Sequence, residues 1–391
     1  MSCSASWPLP LPHDNVRWLL SAALACLLPF PVSSSEPVLQ DFVFISDTQH
    51  PWTEKSDSGE PESNDETVRR SKLFINRQAL ATMEYRIKFG GLDNVPLFLN
   101  GDITAFGHGG ERDYMYNHPF KDFYRRNFYA NLGNHDYQNN VNDCADNGCA
   151  RDMYKDMAGW ARSYPTRAFD YSVKDNGWEM HRGSLAYSLV LGDILAIQLQ
   201  NEPTYSVRYE SARRTFIIND SLGFLETELK WARAAGKDVI LNMHKPPYAN
   251  WQSPNSPRFR QLMKDNEDLI LGIFAGHLHG SAGKYKTVGT IPVYLSGAAS
   301  RETFLTAFYN PQDRELLVFK VSGNDWRNNR KGSDVRKPRL PATRQAAPRT
   351  GTCPLASTRL RTQQNTLILT HPCLFNDLHA QLLRHGLDAK S

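Results

Sequence analysis

Residues 44–50 read FISDTQH, and the way the chain leaves this stretch decides the fold. Phe44 and Ile45 close the apolar run VLQDFVFIS (38–46), which is long enough and continuous enough for a strand buried on both faces. An acid placed where such a strand ends, here Asp47, stands where ligands bind in open α/β sheets, outside the carboxyl ends of the strands. Asp-x-His would suit a metal, but position 49 is Gln and the His follows one residue late.

The same apolar signature recurs along the chain. VPLFLN (95–100), FYANL (128–132), SLAYSLVL (184–191), ILAIQLQ (194–200), DVILNM (238–243) and LILGIFAG (269–276) read as strands. IPVYLSG (291–297), TFLTAFY (303–309) and ELLVFKV (315–321) follow with no helix between them. Helical patterns separate the earlier strands. One starts at Asn64-Asp65-Glu66 and carries Leu73, Leu80, Met83 and Ile87; another carries Leu222, Leu225, Leu229 and Ala232 and stops at Gly236. The pattern predicts a mixed α/β sheet system with an antiparallel C-terminal edge.

Five polar clusters close these strands: Asp47-Thr48-Gln49, Gly101-Asp102, Gly133-Asn134-His135-Asp136, Asn242-Met243-His244 and Gly276-His277-Leu278-His279-Gly280. Alone, Gly-Asp is a turn and a single His is a core histidine. Together, five clusters on strand ends describe one crevice. Asp47/Gln49 and His277/His279 are i, i+2 pairs, which share a face if the chain there is extended. By the same alternation His50 points elsewhere, as a pocket or surface residue. The donors are carboxylate, imidazole and amide oxygen with no thiolate, which suits Mn, Fe or Zn. Their number exceeds the need of one ion and matches two.

In this order the motifs resemble the calcineurin-like metallophosphoesterases, over Asp41 to about Ser322, with GNHD and GHLHG the specific signals. The resemblance implies an αββα sandwich, two mixed sheets flanked by helices. It implies two divalent or trivalent ions, the first on Asp47, Gln49, Asp102 and His279, the second on Asn134, His244, His277 and the bridging Asp102. His135 would face the substrate as general acid, with Asp136 orienting its ring. Family members usually carry His at the position of Gln49, though Gln also occurs; a role one step removed from the ion is the alternative for it. The implied activity is phosphoester hydrolysis by a hydroxide bridging the metals. A binding or signalling module with little turnover is the other reading, motivated by Gln49.

Composition adds limits. The 391 residues are 40% hydrophobic, as in folded soluble chains, and the net charge of +4 is too small to argue for a nucleic-acid or membrane partner. From Asp325 onward twelve Lys and Arg face four Asp and Glu, so the last stretch carries +8 and the rest −4. Arg17, the run WLLSAALACLLPFPV and the SSS before Glu36 predict a secretory signal peptide over 1–35, hence a secreted or extracytoplasmic protein. A catalytic domain over 36–323 and a basic, disordered tail over 324–391 complete the expected organisation, with NTLILTHPCLFNDLHAQLL as a short helix or docking segment inside the tail. After loss of the leader, Cys144, Cys149, Cys353 and Cys373 remain, and the two local pairs are the simplest disulfides. GSAGKYKT (280–287) lacks the spacing of a phosphate loop. Arg301 stands where it could reach a phosphate oxygen or a surface acid, and HPW (50–52) and YQNN (137–140) flank the site. Asn219-Asp220-Ser221 is a glycosylation sequon.

Overall fold

A computed structural model describes residues 39–338; the predicted signal peptide, Cys353, Cys373 and the chain beyond 338 lie outside the described residues. The chain begins with β1 (Gln40–Ile45), α1 (Glu54–Ser58), α2 (Asn64–Phe89), β2 (Leu97–Asn100), α3 (Gly109–Met115) and β3 (Phe128–Asn131). Then come α4 (Gly148–Ser163), β4 (Thr166–Phe169), β5 (Ser172–Asp175), β6 (Glu179–Arg182), β7 (Tyr187–Leu191) and β8 (Ile194–Gln198). After β9 (Val207–Ser211) and β10 (Arg214–Ile218) follow α5 (Leu222–Ala235), β11 (Asp238–Asn242), α6 (Pro257–Asp265) and β12 (Ile270–Ala275). The last strands are β13 (Ala282–Val288), β14 (Ile291–Ser296), β15 (Thr303–Asn310), β16 (Glu315–Ser322) and β17 (Arg330–Arg336).

Two mixed sheets carry the fold. One runs β17-β16-β15-β1-β2-β3, the other β13-β14-β12-β11-β8-β7-β4, and β5-β6-β10-β9 form a small third sheet. Phe44 of β1 stacks on Phe274 of β12 with ring centroids 3.7 Å apart, which places the two large sheets face to face. Alternation along the central strands explains the layers. On β8, Ile194 and Ala196 join the core between the sheets, while Leu195 and Ile197 join the second cluster with Leu225 and Leu229 of α5. This is the expected sandwich.

Three readings are corrected. β14 does not belong with β15 and β16; it lies parallel to β12 in the other sheet. The stretch from 324 to 336 is not the start of a tail, because β17 pairs with β16 and closes the first sheet. And α2, present from Asn64 as expected, is turned the other way. Leu73, Leu80 and Ile87 are 39%, 44% and 57% exposed, whereas Ser71, Ile75, Gln78, Ala79, Tyr85 and Arg86 face inward. Polar contacts set that orientation: Gln78 donates to Thr303 O at 2.7 Å and Tyr85 to Asp41 Oδ1 at 2.6 Å. The fully buried Arg86 guanidinium donates to the carbonyls of Val95, Leu92, Tyr124 and Arg126, which ties the helix end to two connecting loops. Helical spacing alone cannot say which face a hydrogen-bonded helix turns inward.

Candidate metal centre

Every polar cluster singled out in the sequence lies at the end of a strand, β1, β2 and β3 in one sheet and β11 and β12 in the other. The five therefore meet at one end of the seam between the sheets. Backbone hydrogen bonds stitch them: Asp47 N donates to Gly101 O at 3.0 Å, Gln49 N to Asp102 O at 2.9 Å and Gly276 N to His244 O at 2.9 Å. Glycine is required where the segments touch. A Cβ on Gly133 would lie 2.1 Å from Asp102 Oδ1, and one on Gly276 would lie 2.5 Å from Asp47 Oδ2.

The pairs converge for a different reason from the one alternation suggests. β1 ends at Ile45, and Asp47 (φ 52°), Gln49 (φ 45°), Asp102 (φ 52°) and His277 (φ 71°) all occupy the left-handed region. Such residues are uncommon outside glycine and cluster where surrounding contacts hold a functional geometry. His50 is neither a pocket nor a surface residue. It is 4% exposed, its Nδ1 lies 3.0 Å from Ser71 Oγ and its ring packs 4.3 Å from Tyr114. Burial, and then the Lys72 charge, lowers its pKa to about 4.

Two groups of ligand atoms lie within 4.8 Å of one another, Asp47–Asp102–His279 and Asp102–His244–His277, and Asp102 belongs to both. Asn134 joins the second through Oδ1, 3.0 Å from His244 Nε2. The rings are aimed. His244 Nδ1 lies 2.9 Å from Asn100 O and His279 Nδ1 2.6 Å from Asp57 Oδ1, so each directs Nε2 inward. His244 Nε2 is 3.1 Å from Asp102 Oδ2, and His279 Nε2 is 3.1 Å from Asp47 Oδ1.

Electrostatics fit bound cations. Burial pulls the His279 imidazole down, but the charges and hydrogen bonds of Asp47 and Asp57 outweigh it and lift it to about 10. Burial opposes ionisation of Asp102, yet His244 and His135 hold its carboxyl well below the usual range. The pocket thus draws positive charge. Burial and the neighbouring His244 lower His277 to about 4, which leaves a neutral donor. Both amide atoms of buried Gln49 lack a hydrogen-bond partner. Orphaned polar atoms of this kind call for an unseen partner, and the oxygen and nitrogen donor set fits hard or borderline divalent ions. A third group, His108–Cys144–Cys149, does not fit, because the two sulfurs are joined as a disulfide.

His135 stands beside the ligand groups. Its backbone N donates to Asp102 Oδ1 at 2.9 Å, and its Nδ1 lies 2.8 Å from Ala105 O. Asp136 does not orient this ring. Its carboxylate accepts from Ile103 N, Thr104 N, Thr104 Oγ1 and Gly133 N at 2.8 to 3.1 Å and clamps the β2 and β3 loops together. Burial, with the Asp102 charge next, raises it to about 7. The carbonyl of Ala105 does the orienting, a contact that no side-chain motif encodes. Trp52, from the HPW stretch, packs edge-on to His135 at 5.3 Å. Within YQNN, Asn140 Nδ2 donates to the carbonyls of His135 and Asp136, and Gln138 Oε1 accepts from Lys245 Nζ at 2.8 Å. Arg301 pairs with Asp57 at 3.0 Å. GSAGKYKT contributes β13 and no phosphate loop.

A family model described as calcineurin-like phosphoesterase matches residues 41–281. No curated protein matches the chain. Among solved structures, a dimetal phosphatase from Danio rerio is similar at 14% identity and a TM-score of 0.44, covering 77% of this chain and 99% of that one. A purple acid phosphatase, PPD1, from yellow lupin (Lupinus luteus) seeds is similar at 10% identity and a TM-score of 0.49, covering 83% and 58%.

Proposed function

Since the chain belongs to the calcineurin-like phosphoesterase family, we propose that it is an exported two-metal phosphoester hydrolase. The observation that carries this reading is Asp102, whose carboxylate is common to both groups of ligand atoms. Asp47, Gln49, Asp102 and His279 would hold the first ion; Asp102, Asn134, His244 and His277 would hold the second. When bound, the pair of ions supplies an acidified water as nucleophile and positive charge for the phosphoryl oxygens. The chain's own residues do the rest. Held by Nδ1–H on Ala105 O, the imidazolium form of His135 presents Nε2–H, whose proton goes to the departing oxygen and leaves the ring neutral. Asp136 holds the loop that presents His135. Export rests on the leader and on the Cys144–Cys149 disulfide, a bond that persists in oxidising compartments. Among the described residues no helix is long and apolar enough to cross a membrane.

A second reading, a binding module with little turnover, is favoured by Gln49, a weaker donor than imidazole. Metal analysis together with hydrolysis of 4-nitrophenyl phosphate and bis(4-nitrophenyl) phosphate, under Mn²⁺, Fe²⁺ or Zn²⁺, separates the two. The hydrolase should bind two ions per chain and turn over at least one ester. Asp102→Asn should lose most bound metal and all detectable hydrolysis while its circular dichroism stays unchanged. Near-parent activity in that variant refutes the two-metal reading. Two bound ions with no turnover of either ester favour the binding module.

A further inference from the structure

Asp57, in the short α1, lies ten residues past Asp47 and in no motif, yet its carboxylate accepts three side-chain hydrogen bonds, one of them from the predicted ligand His279. Oδ1 accepts from His279 Nδ1 at 2.6 Å and from Trp52 Nε1 at 2.7 Å; Oδ2 accepts from Arg301 Nη2 at 3.0 Å. The carboxylate is 17% exposed and His279 14%. Its helix is braced. Glu62 accepts from Thr53 Oγ1 at 2.7 Å and Thr67 Oγ1 at 3.0 Å, and Arg70 pairs with both Glu62 and Glu54. Asp57 is therefore held in place as its donors are.

We infer that Asp57 is the positioning residue of the first metal site and offsets the weak donor at Gln49. The inference rests on the two-metal reading above. A carboxylate on the far nitrogen of a ligating imidazole fixes the tautomer, aims Nε2 and makes it a stronger donor. That is the contact made here, on the imidazole of the very site where an amide stands in place of a second one. The second site is built differently. His244 is backed by a neutral carbonyl, Asn100 O, and among the described residues no carboxylate hydrogen-bonds to the His277 ring. Asp57 should thus act on one ion alone. It also holds Trp52, whose ring packs on His135, and pairs with the Arg301 guanidinium.

The test is a calorimetric Mn²⁺ titration of ion-free protein, which reads both sites without substrate. Asp57→Asn keeps the size and removes the charge. It should weaken the first site by about 10- to 100-fold and leave the second at its parent value. Asp57→Glu, which restores the charge, should fall between the two. Trp52→Phe, which removes one donor but leaves the His279 contact, should titrate as the parent does. The inference is overturned if Asp57→Asn titrates like the parent, if both sites weaken together, or if ion-free stability falls with no selective loss. A parent chain that fails to bind two ions removes the two-metal reading itself, and that result is visible before any variant is made.

Discussion

His135 and Gln49 show how much one side chain decides here. His135 touches a backbone carbonyl and an aromatic edge and sits outside both groups of ligand atoms, so its loss should alter rate and spare metal. With His135→Asn, kcat on an alkyl ester should fall by about 10²–10⁴-fold, the usual range for a general acid. An activated aryl ester, whose leaving oxygen needs no proton, should lose far less. Equal losses on both substrates, or loss of bound metal, would contradict the assignment. Gln49 is the departure from the usual ligand, and its buried amide has nothing else to bind among the described residues. Gln49→His should tighten the first ion and shift preference toward Zn²⁺, because imidazole suits zinc better than an amide oxygen does. Competitive titration with Mn²⁺ and Zn²⁺ reads this directly. Unchanged preference would place Gln49 outside the ion's ligands.

At the scale of elements, α2 and β1 meet through polar groups, and one of them makes stability depend on pH. Asp41 of β1 accepts from Tyr85 of α2 at 2.6 Å. Burial raises its carboxyl to about 6, against the opposing effects of the Tyr85 hydroxyl and Arg330. The folded chain therefore holds this proton at pH values where the unfolded chain has lost it. Its contribution is fully present below about pH 4, the ordinary carboxyl value, and is lost as pH rises through about 6. Asp41→Asn mimics the neutral acid at every pH. Relative to the parent it should gain stability between pH 4 and 7, by an amount on the order of 2 kcal/mol. Urea unfolding at several pH values checks this, and a constant difference would show that Asp41 stays ionised in the folded chain. The same contacts explain why Leu73, Leu80 and Ile87 lie outward: the inward face of α2 is fixed by hydrogen bonds to named partners, which helical periodicity does not report.

For the whole molecule, the candidate site is where the two sheets join, since Asp47 and Asp102 come from one and His244, His277 and His279 from the other. Ions held there would bind the folded chain and not the unfolded one, so their removal should lower the melting temperature. At free metal about 100 times the dissociation constant, each site would stabilise the fold by about 2.7 kcal/mol. Melting in EDTA and again after Mn²⁺ is restored measures it; identical midpoints would mean that no ion bridges the sheets. The sequence by itself determined the class of fold, the central strands and the clusters at their ends, because buried strands are apolar runs and turn residues punctuate them locally. It also determined which residue types stand together as donors. Tertiary structure alone decided that Ala105 O and not Asp136 orients His135, and that Asp57 backs His279. It also decided that His50 is core and that β14 and β17 lie in different sheets. These are contacts between residues distant in the chain or through backbone atoms, set by left-handed turns and sheet register. No local pattern of side chains encodes them.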